Sequence, residues 1–386
     1  MSTAGSADRR GRPLANGRGW LIGPWFDSIC IAWAWVPFYA FIVFVLGLDG
    51  EWSLGGRDGN GTEPGLGLAL LLAFGISYVH RHYTFLLVYG DRETYGQRMR
   101  VYTLLPAALF VGFALILRFE GDARLELFGQ SLRPWMLVLI VTGTWNVWHT
   151  IMQRHGITRI YAGKAGGGLE QREHGRRDLH LLWSAVALTA VLTLLFRGST
   201  FAGIGNARKL LRAASPLIHG WVGWSLLAIV AAVTLWIATQ WLAAERAATL
   251  RMRERLPRIN FMLSTLALLA VFVMHGPITG YLCFGVAHAD EYVFYFPEFG
   301  QRKFAARPPA ERGLAARLLA RPLRSGPIVA VALALLFFAL VDHRDSEAYQ
   351  VYYTATSLLH FLYDRWIWKV RKPEVAAPLG MRTPSS

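Results

Sequence analysis

Apolar runs of roughly twenty residues recur along this chain, divided by short stretches rich in charge, glycine or proline. At 1.5 Å of rise per residue, a helix of that length matches the hydrocarbon thickness of a bilayer. The pattern predicts spans at 27–48, 66–89, 101–118, 134–154, 180–197, 219–242, 259–276, 278–296, 326–341 and 350–368. The fold class expected is all-α, a polytopic transmembrane helix bundle of about 8–10 spans. Only Gly276-Pro277 separates the seventh span from the eighth, so that pair reads as a broken helical pair or as a re-entrant segment.

Loop charge orients the bundle. Arg246, Arg251, Arg253, Arg255 and Arg258 lie in one connection, and Arg302, Lys303, Arg307, Arg312, Arg317, Arg321 and Arg324 in another. Both read as cytoplasmic under the positive-inside rule, so an even number of crossings must separate them. Segments 91–100, 154–178 and 369–382 are also basic, while 49–65 and 342–348 are mainly acidic and 118–133 is balanced. Segment 197–218 is the exception, with Arg197, Arg208, Lys209 and Arg212 on the outer side; it reads as an interfacial, partly amphipathic piece.

Composition supports this picture. The 386 residues are 54% hydrophobic and 17% charged, with 15 Trp and a mean hydropathy of +0.32. A net charge of +15 would suggest nucleic acid in a soluble protein, but here the cations lie between apolar runs, so no nucleic-acid partner is expected. Residues 1–19 read as a disordered basic cytoplasmic tail, 20–370 as a single transmembrane helical domain and 371–386 as a C-terminal cytoplasmic tail. With no cleavable leader in the pattern, the expected location is a bacterial inner membrane. Cys30 and Cys283 sit in apolar stretches and suggest neither a disulfide nor a thiolate site. The stretch GKAGGG at 163–168 reads as a flexible loop, because no strand precedes it as a phosphate-binding loop requires.

The candidate chemistry lies in the histidines. His80, His82, His149, His288 and His360 fall near the same ends of alternate spans, roughly 8–14 Å inside the expected boundary. Imidazoles in a bilayer are costly and mark working sites. His288 and Glu291 share a helix face at i, i+3, as do His360 and Asp364 at i, i+4. Glu291 and Asp364 are the candidate catalytic carboxylates, each placed either to bind a metal directly or to orient a ligating imidazole. Trp145, His149 and Gln153 form a stripe, and His155 is turned well away beside Arg154 and Arg159 at an interface. His80 and His82 stand about 200° apart on an ideal helix, so one ligand and one supporting residue are expected from the pair. The run His80-Arg81-His82 is alternatively a set of interfacial residues snorkelling to the headgroups. Gln153, His155, His275 near the Gly276-Pro277 break and Asp27 at the first span are secondary candidates; Asp27 is alternatively a helix cap after Pro24.

Nitrogen and carboxylate ligands without thiolate suit iron, with one or two ions left open, manganese or zinc. The chain resembles the polytopic histidine-motif membrane oxygenases, with the Brp/Blh-type carotenoid dioxygenases the nearest comparison, through its helical architecture and stretches such as WNVWHTIMQRHG. That resemblance implies one non-haem iron held by His80, His149, His288 and His360. The boxes HxxxH and HxxHH of the fatty-acid desaturases are absent. The function expected is a metal-dependent oxidoreductase, an iron oxygenase acting on a polyene, isoprenoid or acyl chain. Its expected partners are a lipid-soluble substrate, membrane lipids and an electron-donor protein. The competing readings are a proton-coupled or metal-ion transporter using the same groups as a relay, and a zinc-dependent membrane hydrolase.

Overall fold

The computed structural model describes residues 19–48, 64–121, 123–127, 130–166, 168–197, 215–305, 313–319, 321–369 and 372–381. The tail at 1–18, most of the acidic segment 49–65, and Arg208, Lys209, Arg212, Arg307 and Arg312 lie outside them. The fold is all-α. Two short helices, α1 (Pro24–Phe26) and α2 (Trp35–Ala40), each widen at their end into a turn with i→i+5 bonds, Trp33 N–H to Ser28 O and Leu46 N–H to Phe41 O, both near 3.0 Å. They are followed by α3 (Pro64–Gly90), α4 (Arg92–Gly96), α5 (Met99–Phe119), α6 (Pro134–Ala165), α7 (Gly168–Arg197) and α8 (Trp221–Arg246). The chain continues through α9 (Met252–Ala305), α10 (Leu314–Leu319), α11 (Pro322–Val341), α12 (Glu347–Ile367) and α13 (Pro373–Ala376). Proline opens α1, α6 and α11, where its missing N–H costs nothing.

Every predicted span falls on a helix, but the boundaries differ. Helix α6 runs on to Ala165 and α7 starts at Gly168, so most of the basic segment expected as a loop is helical. Gly166, at φ +87°, ends α6, and the expected glycine-rich loop shrinks to that reversal. A small antiparallel hairpin, β1 (Leu125–Leu127) with β2 (Gln130–Leu132), joins α5 to α6 and was not predicted; Leu125 pairs with Leu132.

The break in α9 is a sharp reversal. Gly276 has φ +84°, and Phe272 and Phe284 bring their ring centroids to 5.9 Å. Along a straight helix those positions would be about 18 Å apart. Gly280 meets the Phe272 ring so closely that a Cβ there would overlap it. The two halves therefore pack as a helical pair. Arg197 donates from Nε to the Val273 carbonyl at 3.2 Å and from Nη2 to that of Met274. These are carbonyls the break leaves without helical partners, and a cation suits a helix C-terminus. Arg197, the one described cation of the segment expected on the outer side, is thus spent on these carbonyls.

Four described helices are long and apolar enough to cross a membrane, Met99–Phe119, Glu173–Arg197, Trp221–Arg246 and Met252–Phe304; the bent α1–α2 pair is a fifth candidate. Helices α5 and α8 leave large apolar side chains exposed, among them Leu104, Val111, Leu235 and Trp236. Faces of that kind need an apolar environment. Helices α7, α8 and α9 are tied by a buried polar knot in which Arg258 donates to Asp178 Oδ1 at 2.6 Å and to Glu245, and Trp241 Nε1 donates to Asp178 Oδ1 at 2.8 Å. Helices α3, α6, α9 and α12 enclose the histidines.

Candidate metal centre

His80 on α3, His149 on α6, His288 on the second half of α9 and His360 on α12 converge in one buried cluster. Nε2 of His360 lies 3.1 Å from Nε2 of His80 and 3.5 Å from Nε2 of His288. Asp364 Oδ2 lies 3.7 Å from the Nε2 atoms of both His149 and His360. The ring centroids of His149 and His288 stand 4.9 Å apart, and those of His80 and His288 4.7 Å. The expected meeting of one imidazole from each of four helices is therefore observed, with Asp364 beside them.

These atoms form two candidate metal-holding groups, His80–His288–His360 and His149–His360–Asp364. Both use Nε2 of His360. An imidazole nitrogen carries a single lone pair, so His360 Nε2 can serve only one of the groups at a time. Ligands about 2.1 Å from an ion stand roughly 3.0 Å apart along an octahedral edge and 3.4 Å along a tetrahedral one. The observed 3.1, 3.5 and 3.7 Å lie at or just beyond that scale. His149 Nε2 and Asp364 Oδ2 are buried without a hydrogen-bond partner, as donors awaiting an ion would be. The residues present fit a metal with nitrogen and oxygen preference.

One hydroxyl orders two of the five groups. Thr84 on α3, wholly buried, has Oγ1 2.8 Å from His360 Nδ1 and donates to Asp364 Oδ1 at 2.8 Å. With Nδ1–H donating to Thr84, Nε2 of His360 presents its lone pair to the cluster. Asp364 is then held through Oδ1 and leaves only Oδ2 toward the imidazoles. The Tyr292 hydroxyl closes the knot, 2.9 Å from Thr84 Oγ1 and 3.5 Å from Asp364 Oδ1. Phe361 packs on the His149 ring at 4.8 Å. The backbone carbonyl of His288 accepts from Gln153 Nε2 at 3.2 Å.

The other candidates lie elsewhere. His82 is turned away, with Nδ1 2.7 Å from the Tyr78 carbonyl and Nε2 2.8 Å from the Tyr352 hydroxyl; of the His80/His82 pair, only His80 joins the cluster. His155 Nε2 donates to the Gly175 carbonyl at 2.9 Å, and His275 pairs with the Tyr39 hydroxyl at 2.8 Å. Asp27 is not a helix N-cap; its carboxylate accepts from the preceding Leu21, Ile22 and Gly23 amides at 2.5, 3.0 and 3.3 Å and folds the entry segment back. Glu291 stands outside both metal groups, because its carboxylate is taken by Arg154, with Gln153 Nε2 3.2 Å away. A shared face with His288 did not mean a shared partner.

Arg154, expected at an interface, is wholly buried; besides Glu291 it donates from Nε to Thr265 at 2.9 Å. Arg81, which the alternative reading of His80-Arg81-His82 put at the headgroups, is 4% exposed. Thr84, Tyr292 and the enclosed positions of both arginines were missed from sequence. Hydroxyls in an apolar run carry no pattern of their own, and arginine beside a presumed helix end reads as a boundary residue. Two surface clefts, one beside His174 and Gln240 and one beside Glu120 and Trp135, contain none of the cluster residues.

The fold and site together define a helical-bundle protein with a buried histidine–aspartate cluster. No protein-family model matches the chain, and neither a curated protein nor a solved structure does.

Proposed function

We propose that this is an integral membrane metalloenzyme, an oxidoreductase with a single iron held by His80, His149, His288, His360 and Asp364 and acting on a lipid-soluble polyene, isoprenoid or acyl chain. The observation that carries the reading is the convergence of four imidazoles and one carboxylate, buried, from four helices of an apolar bundle. Iron bound there would supply one-electron chemistry for oxygen-dependent attack on an unactivated chain. The chain's own residues do the rest. Thr84 and Tyr292 hold His360 and Asp364 in register, Gln153 steadies the His288 backbone, and the surrounding apolar side chains keep water from the site. An electron-donor protein is the expected partner, and a bacterial inner membrane with both termini cytoplasmic the expected setting.

The test is metal content by elemental mass spectrometry on detergent-purified protein, with His149→Ala, His288→Ala and His360→Ala beside the wild type. About one iron per chain, lost in each folded variant, is the expected result. Zinc lost in the same pattern would replace the oxygenase with a hydrolase, and a folded wild type without bound metal would sink the proposal.

A further inference from the structure

Two guanidinium groups are enclosed beside the histidines, and they differ in one respect. Arg154 carries its own counter-charge, the Glu291 carboxylate. Arg81 has none. Its Nη1 donates to the Tyr353 carbonyl and to Thr356 Oγ1, both at 3.0 Å, and its plane lies 4.2 Å from the centre of the Tyr353 ring. Those partners are neutral. The donors on Nε and Nη2 make no hydrogen bond among the described residues, and no carboxylate there pairs with the group. A guanidinium cannot shed its proton to escape burial, so an enclosed one without an anion is costly. Such a charge is tolerated where an anion comes to it.

The position says which anion. Arg81 follows His80 directly, and its partner Thr356 stands one helical turn before His360 on α12. Toward the flank, Tyr353 packs on Phe74, which is 40% exposed on an apolar face. A molecule reaching Arg81 from that flank would need an apolar body and one anionic end, and a planar fork of N–H donors matches a carboxylate in two-point fashion.

We propose that Arg81 is the head-group anchor of the site, taking the carboxylate of a long-chain, fatty-acid-type substrate and holding its chain beside His80 and His360. This rests on the functional reading above and narrows its substrate class from polyene, isoprenoid or acyl chains to lipid carboxylates.

The test measures equilibrium binding of radiolabelled oleate, oleyl alcohol and oleyl phosphate to the full chain in nanodiscs, with iron content recorded on the same preparations. Wild type is expected to bind oleate at least about tenfold more tightly than oleyl alcohol, as a charge-assisted contact in a dry site provides. Arg81→Met should abolish that preference, and Arg81→Lys should keep part of it. Should Arg81→Met fail to fold, the wild-type preference and its reduction in Arg81→Lys still decide the matter. Equal binding of oleate and the alcohol, or a preference that survives Arg81→Met, overturns the proposal, and tighter binding of oleyl phosphate than of oleate overturns the carboxylate. Iron-loaded protein that ignores the carboxylate refutes only this inference; protein without metal refutes the oxidoreductase and leaves the oleate comparison readable.

Discussion

Thr84→Val removes one oxygen atom and almost no volume, yet that oxygen is the contact common to His360 Nδ1, Asp364 Oδ1 and the Tyr292 hydroxyl, at 2.8, 2.8 and 2.9 Å. All three partners are buried, so no water from bulk replaces what is lost. Each polar group left alone costs about 1–3 kcal/mol. The imidazole also loses the acceptor that fixes its tautomer, and the carboxylate loses the donor that keeps Oδ2 turned to the cluster. Loss of such an orienting partner lowers metal affinity about 10–100-fold. Chelator competition in detergent, with iron and then zinc, reads that loss directly. Thermal unfolding with and without metal separates it from any general loss of stability. Thr84→Ser, which keeps the hydroxyl, should bind metal within about threefold of wild type on the same logic. Metal affinity unchanged in a folded Thr84→Val protein would refute the idea that one hydroxyl orders the site.

Two further outcomes follow from the placements. His82→Phe and His155→Phe should retain full metal content in elemental analysis, since both imidazoles are spent on other partners; metal loss in either, equal to that of His360→Ala, would redraw the ligand set. Glu291→Gln should destabilise the protein by about 3–5 kcal/mol in denaturation, because it strands a buried guanidinium. Adding Arg154→Met should restore most of that, and a double variant no more stable than the single would show that the pair matters for packing rather than charge.

The bundle and the ligand helices were legible in the sequence because both rest on strong signals. Long apolar runs fixed the helices, and imidazoles within those runs stood out as His80, His149, His288 and His360. Asp364 was readable as one helical turn from His360. Glu291 was equally readable at one turn from His288, yet it serves Arg154. Periodicity gives the face of a helix but not the neighbour that the face meets. Arg154 itself was obscured by a boundary set too early, since the expected span stopped where α6 continues for several turns. Thr84 could not be singled out, because its importance lies in three contacts from other helices.

The order in which the chain emerges during synthesis gives the placement of His360 and Asp364 a second meaning. Helix α12, the last long one, supplies both of them, along with Phe361 against His149. Until it is made, the earlier helices present three imidazoles with an open side and a Thr84 hydroxyl with nothing to orient. On the proposed reading, the ligand set is complete only once α12 has joined the earlier helices. A chain that stops short of His360 would lack both of these groups, and with them the carboxylate that Thr84 holds.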